Sequence, residues 1–349
     1  MMKRITWICY ASLFVTTVIM VLFPLSPTGD VYYFANAART ILAGGLIYRD
    51  VEWTYPPLYA YLMAPAMLIL GDQSYAWKIL PIIFHMATGI LILKATRSWT
   101  PLFLYVFSPL PFLASSIWGS FDVVAGFFTV LALVLLLRGR HALSAISLAV
   151  GINMKYFPVV LLIPMLLYLK RERVLYFSIV LITSLLMNSP FMFLAWNDWL
   201  QQAVLFQLAR APGGYSLYNL ITGNLWGGPP EVGLVLPLAL FLLYFVSHLR
   251  RQRLLENAAL VMTAAVLFNK VVLWYAQWFV PLVILCYQQL RRDSMLFASL
   301  FLGQIFVYAG GTLFGIVFGN QLDTILTFGW LYQATTAIIA WRLLASLRH

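Results

Sequence analysis

Long apolar runs, separated by short basic clusters, repeat along the whole chain. They fall at about 5–25, 76–95, 100–116, 120–138, 142–155, 157–170, 174–191, 231–249, 254–269, 272–290, 294–312 and 322–343. A hydrocarbon core of roughly 30 Å takes about 20 apolar residues in a helix. The pattern therefore predicts an all-α polytopic membrane protein with about twelve crossings, folded as one domain over 1–349. The clusters between runs are Lys3/Arg4, Lys94/Arg97, Arg138/Arg140, Lys170/Arg171/Arg173, Arg250/Arg251/Arg253, Arg291/Arg292 and Arg342/Arg348. Under the positive-inside rule these face the cytoplasm, and both termini end there. The first run has no small-residue cleavage site after it and is expected to be a retained helix.

One apolar stretch, 56–70, breaks the alternation. As a crossing it would turn Lys94 and Arg97 outward, and it opens on Tyr55-Pro56-Pro57. It is expected as an interfacial or re-entrant helix on the outer side. Two outer segments are long, about 26–75 and about 191–231, and long segments in compact proteins commonly carry function.

Composition narrows the class. Hydrophobic residues make up 62% of the 349 and charged residues only 9%, against roughly a quarter charged in soluble domains. A soluble enzyme, a disordered chain and a nucleic-acid module are excluded. The net charge of +11 follows from the cytoplasmic clusters and calls for no nucleic acid. Cys9 and Cys286 each lie inside an apolar run, as core- or lipid-facing thiols without metal-ligand spacing.

Ionisable groups near a bilayer are costly and are therefore candidates for function. Asp30 follows the first run. It is either the N-cap of an amphipathic surface helix from Val31 to Leu42 or a carboxylate able to take a proton from a hydroxyl. The stretch from Tyr48 through Arg49, Asp50, Glu52, Trp53 and Tyr55 reads as an aromatic belt or as a sugar-binding wall. Asp122, near a helix start, is a dipole partner or a site residue. Lys155 and Lys270 sit at outer turns between short helices, each beside an asparagine, Asn153 and Asn269. They either snorkel or bind a phosphate as compact charges. Arg210, on the second long segment, is a third cation, and His85 reads as a packing histidine. The segments around Lys155 and Lys270 also share a faint repeat, an Asn-x-Lys or Asn-Lys before an apolar run that ends in proline.

Four segments together resemble the GT-C superfamily of membrane glycosyltransferases. They are Gly29-Asp30 through Tyr48-Arg49-Asp50 to Tyr55-Pro56-Pro57, then Ser115 to Asp122, then Ala149 to Lys155 and Pro158, and last Phe268-Asn269-Lys270 to Gln277 and Pro281. Within it the likeness is to the glycosylphosphatidylinositol and family-87-like mannosyltransferases. The resemblance implies a GT-C-like helical bundle with outer juxtamembrane helices in the first long loop. It also implies a polyprenyl-phosphate sugar as donor, a glycan or glycolipid as acceptor, and an active site on the extracytoplasmic face. Carried over to this chain, Asp30 is the catalytic base, and Lys155, Lys270 and Arg210 hold the donor phosphate. Arg49, Asp50, Tyr55, Asp122, Asn269 and Gln277 line the substrate. Many relatives carry a second acid two positions after the first. Tyr32 stands there, so no obligatory metal or other cofactor is expected. A transporter or lipid flippase is the alternative, although such proteins place their charged sites nearer the midplane.

Overall fold

A computed structural model describes residues 14–18, 21–22, 29–116, 118–210, 216–223, 242–244, 252–268, 275–305 and 321–348. The first long outer segment is folded into two helices, α1 (Gly29–Leu42) and α2 (Leu58–Leu70). On α1, Val31, Phe34, Ala35, Ala37 and Ala38 are buried, while Asp30, Tyr32, Asn36 and Arg39 are exposed. That spacing makes one apolar stripe, which packs on α2. The helix starts one residue before Asp30, so Asp30 is not its cap but lies in its first turn. The helix dipole favours a carboxylate there. α2 begins right after Pro56-Pro57 and runs through the internal Pro65.

Next come α3 (Ser74–Thr96), α4 (Trp99–Val106), α5 (Pro109–Ser116), α6 (Asp122–Leu137), α7 (His141–Met154) and α8 (Leu162–Tyr168). The single crossing expected over 100–116 is instead broken at Phe107-Ser108. Proline supplies the reason. Pro109 opens α5, and the residue before a proline is disfavoured in the helical region. The polar groups freed at the break are met by Gln304, whose Oε1 accepts from Ser108 Oγ (2.9 Å) and Leu110 N (3.1 Å). The expected helix over 157–170 opens as a 3-10 turn, Phe157–Leu161, before α8.

α9 (Arg173–Leu194) runs further than expected. The supposed loop from 191 continues as α10 (Trp196–Trp199), a π-helical turn (Leu200–Leu205) and a last short turn (Phe206–Leu208). α11 (Leu217–Thr222), α12 (Leu254–Phe268), α13 (Ala276–Leu285), α14 (Ser294–Ile305) and α15 (Gln321–Arg348) complete the described helices. Most of the expected crossings at 5–25 and 231–249 lie outside the described residues. By length and composition, α3 and α9 are the described helices able to cross a membrane unaided.

α6 is central. It packs on α7, α3 and α13, and α12 packs on α13 and α15. Gly126 lets α13 approach, since a Cβ there would sit 3.3 Å from the Gln277 carbonyl oxygen. His85 stacks on Tyr105 with its Nε2 3.1 Å from the Val106 carbonyl, a packing arrangement.

The bundle has two chemically different ends. At one, Arg138 Nη2 donates to the Lys94 carbonyl, His141 meets Glu172, Arg253 pairs with Glu256 and bonds the Ser346 carbonyl, and Arg342 pairs with Asp293. Gln288 also bonds the Thr96 carbonyl. Among the described residues, basic side chains separated along the chain are thereby gathered at one end. The opposite helix ends carry Asp122, Lys155 and Trp278, together with the segments around α1 and α10.

Candidate active site

The site is built around Phe121 and Asp122, at the start of α6. The Phe121 ring meets Phe34 of α1 at 4.8 Å, Tyr55 at 4.9 Å and Tyr59 of α2 at 4.9 Å between centroids. One aromatic side chain thus joins both outer helices to the bundle, through edge-to-face and tilted contacts of the kind aromatic pairs prefer. Tyr55 itself sits at the end of a tightly held loop. Tyr48 has a positive φ of 73°, a strained conformation for a bulky residue. Its hydroxyl donates to the Tyr55 carbonyl (2.7 Å). Asp50 Oδ2 accepts from Leu46 N at 2.7 Å, which closes the same loop.

Asp122 is fully buried and accepts three hydrogen bonds. Oδ2 takes them from Lys155 Nζ (2.7 Å) and Ser120 Oγ (2.6 Å), and Oδ1 takes one from Trp278 Nε1 (2.7 Å). A buried charge is tolerated only when paired and hydrogen-bonded, and this carboxylate is both. The Lys155 ammonium also lies over the rings of Phe121 (4.5 Å), Tyr275 (4.8 Å) and Tyr55 (5.6 Å), within cation–π range. Trp278 is stacked between Phe157 at 4.6 Å and Tyr275 at 4.1 Å, so its N–H is aimed by packing. Tyr59, against the Phe121 ring, has a buried hydroxyl with no hydrogen-bond partner that feels the Asp122 charge.

Arg210 approaches from the second long segment. It acts on Tyr55 electrostatically, and its Nη1 lies 3.5 Å from Gln207 Oε1. Its Nε is buried and unpartnered. Burial works against the guanidinium charge, but Tyr275, Tyr55 and Asp30 outweigh it, and the net effect holds Arg210 more firmly protonated. Tyr55 is pushed up to about 12, chiefly by burial and against the pull of Lys155. Asp30 is exposed, yet its charge reaches Tyr55, Tyr275 and Arg210. Exposed Asp30 and half-buried Arg210 thus act on the same two tyrosines, and those rings, with Phe121, surround the ammonium of the buried Lys155–Asp122 pair.

Of the expected site residues, the structure brings Asp30, Tyr55, Asp122, Lys155 and Arg210 together. Arg49 and Asp50 do not join them; they form an exposed two-pronged pair with each other at 2.9 Å. Gln277 is buried and spends its amide on Tyr105 and the Pro111 carbonyl. Asn153 bonds Ser184 and Asn188 on α9. Asn269 and Lys270 lie outside the described residues. Ser120, Tyr275 and Trp278 had gone unassigned although each lies in one of the motif segments. Tyr59, beyond those segments, and Gln207 carried no signal in the sequence.

The sequence profile described as "Glycosyltransferase family 87" matches residues 53–274, which takes in most of these side chains. The chain belongs to glycosyltransferase family 87. Among curated proteins, this family 87 chain is similar to GPI mannosyltransferase 1 of Saccharomyces cerevisiae, with 23% identity over 217 residues covering 55% of this chain and 52% of the relative. The same protein of Kluyveromyces lactis is 22% identical over 210 residues, with the same two coverages. The chain thus spans about half the length of these relatives. Its fold is similar to that of ArnT from Cupriavidus metallidurans bound to undecaprenyl phosphate. The TM-score is 0.59 at 10% identity, over 99% of this chain and 78% of that one. Apo ArnT gives a TM-score of 0.58 at 11% identity, over 99% and 77%. The family 87 placement favours a transferase over the transporter alternative.

Proposed function

We propose that this family 87 protein transfers a hexose, with mannose the first choice, from a polyprenyl phosphate to a hydroxyl of a lipid-linked or glycan acceptor. The observation that carries the proposal is the convergence of exposed Asp30 and half-buried Arg210, whose Nε is unpartnered, on the same two side chains, Tyr55 and Tyr275. A carboxylate open to solvent suits an incoming hydroxyl, and a guanidinium with an unmet donor suits a phosphate. The name of the yeast relatives supports mannose, and undecaprenyl phosphate on ArnT supports a lipid phosphate.

In this mechanism Asp30 removes the proton from the acceptor hydroxyl as its oxygen attacks the anomeric carbon. The bond to the phosphate oxygen breaks with its electron pair, and the lipid phosphate leaves as an anion. That leaving group needs charge stabilisation and no proton, so a single carboxylate suffices, unlike the two of a glycosidase. Arg210 stabilises the developing charge with Lys270, and Lys155 adds a third cation whose charge is shared with Asp122. Asp122 is fully buried and already accepts from three donors, so exposed Asp30 is the better-placed base. One displacement inverts the anomeric centre. The basic side chains gathered at the opposite end of the bundle support an extracytoplasmic site under the positive-inside rule, in a protein read as having about twelve crossings.

The test offers purified protein polyprenyl-phosphate mannose, polyprenyl-phosphate glucose and a nucleotide sugar with membrane acceptors. Transfer from the mannosyl lipid alone is the expected result. Transfer from the nucleotide sugar alone contradicts the proposal.

A further inference from the structure

The π-helical turn between α10 and Arg210 has a consequence for the site. The Phe206 N–H bonds the Gln201 carbonyl, five residues back. In an α-helix, two side chains five apart point about 140° away from each other. A turn closed by an i→i+5 bond brings them back toward one face, and such turns are common at functional sites. The two side chains are those of Gln202 and Gln207, and both reach the loop that carries Tyr55. Gln202 accepts from Trp53 N (2.8 Å) and donates to the Tyr48 carbonyl (2.7 Å). Gln207 Nε2 donates to the Thr54 carbonyl, next to Tyr55, while its Oε1 faces Arg210 Nη1. Tyr156, beside Lys155, holds the same turn by donating to the Ala203 carbonyl at 2.6 Å.

We infer that Gln207 is a positioning residue for the anion-binding arginine. Its amide ties Arg210 to the backbone that presents Tyr55. The π turn is the device that allows Gln202 and Gln207 to clamp one loop together. Gln202 fixes that loop without touching Arg210, whereas Gln207 acts on the guanidinium itself. Arg210 is thereby held with its buried Nε–H unspent and available to a phosphate oxygen. This inference rests on the assignment of Arg210 to the donor phosphate.

The test is a double-mutant cycle on the purified full-length protein, titrated with undecaprenyl phosphate as probe, with Tm followed for each variant. Arg210→Ala is expected to weaken binding about 10- to 100-fold, the loss of charge-assisted hydrogen bonds. Gln207→Met is expected to weaken it about two- to tenfold. In the Arg210→Ala background, Gln207→Met should cost nothing further, because its effect passes through that guanidinium. Gln202→Met should lower Tm and stay additive with Arg210→Ala. If Gln207→Met fails to fold, Gln207→Asn runs the same cycle, its shortened amide detaching one end of the tie. Additive losses from Gln207 and Arg210 would overturn the positioning role and leave the function proposal standing. Unchanged binding by Arg210→Ala would overturn both.

Discussion

The two ends of the bundle handle charge in opposite ways. At the basic end one partner of each ion pair stays in contact with water. The Arg253 and Arg342 side chains are 35% and 32% exposed, against 5% and 13% for their partners Glu256 and Asp293, and the Glu172 side chain facing His141 is 51% exposed. At the aromatic end, the side chains of Lys155 and Asp122 are 7% and 0% exposed. A pair with one partner in water contributes little. A buried pair costs desolvation and persists only when every donor and acceptor is met. Around Asp122 the two indispensable additions are visible: hydrogen bonds from Ser120 and Trp278, and three rings around the ammonium. The lesson is that basic residues spread widely along the chain keep one face in water when they pair, while one fully enclosed pair holds a site in shape.

The largest expected effect comes from opening that pair. Lys155→Met leaves a buried carboxylate without its counter-charge and should destabilise the purified protein by about 3–5 kcal/mol in denaturant unfolding. Asp122→Leu added to it should recover most of the stability, because an apolar pair of similar volume replaces the charges. A Lys155→Met protein as stable as wild type would mean that the two ends do not differ as described. A smaller loss follows from Trp278→Phe, which keeps the stack on Phe157 and Tyr275 and removes one donor to Asp122. About 1–3 kcal/mol is expected in the same unfolding measurement, the cost of an acceptor left unmet. Arg342→Ala, at the basic end, should change stability by no more than about 1 kcal/mol. A loss there equal to that of Lys155→Met would erase the contrast.

The smallest effect lies at the outer loop pair. The hydrogen bonds from Arg49 and then from Leu46 N hold the Asp50 carboxyl at about 2, below the usual carboxylate range of about 3.9. A depressed folded value stabilises above the unfolded value, and that contribution is lost as pH falls through the folded one. The Tm gap between wild type and Asp50→Asn should therefore be present above about pH 4 and close toward about pH 2. A gap that stays constant across this window would show that the pair adds nothing to the fold.

Much of the fold was legible because apolar runs and basic clusters are strong, periodic signals. α3, α6, α7 and α9 lie where the pattern puts them, give or take a few residues at their ends. The break at Ser108 was hidden for a physical reason. Pro109 and Pro111 sit in an apolar run that hydropathy alone reads as continuous, and the partner that makes the break tolerable, Gln304, is far away in sequence. The helical character of 196–208 was missed because Asn197, Asp198 and three glutamines make that stretch look like a loop. Asp30, Asp122, Lys155 and Arg210 stood out as charges beside a bilayer. What their positions did not show is that Asp122 and Lys155 hold each other while Arg210 keeps a donor free, since that depends on contacts between residues distant in the chain. Gln277 illustrates the converse. It lies in a motif segment beside Trp278, yet its amide bridges Tyr105 and Pro111 inside the bundle.

The central claim is that the aromatic end, and not the basic one, carries out sugar transfer with Asp30 as the base. The measurement is transfer of labelled mannose from polyprenyl-phosphate mannose to membrane acceptors by purified wild type, Asp30→Asn and Arg342→Ala. The account predicts transfer by wild type and by Arg342→Ala, with Asp30→Asn slower by about 10²- to 10⁴-fold, the usual contribution of a general base. Full transfer by a folded Asp30→Asn protein would contradict it.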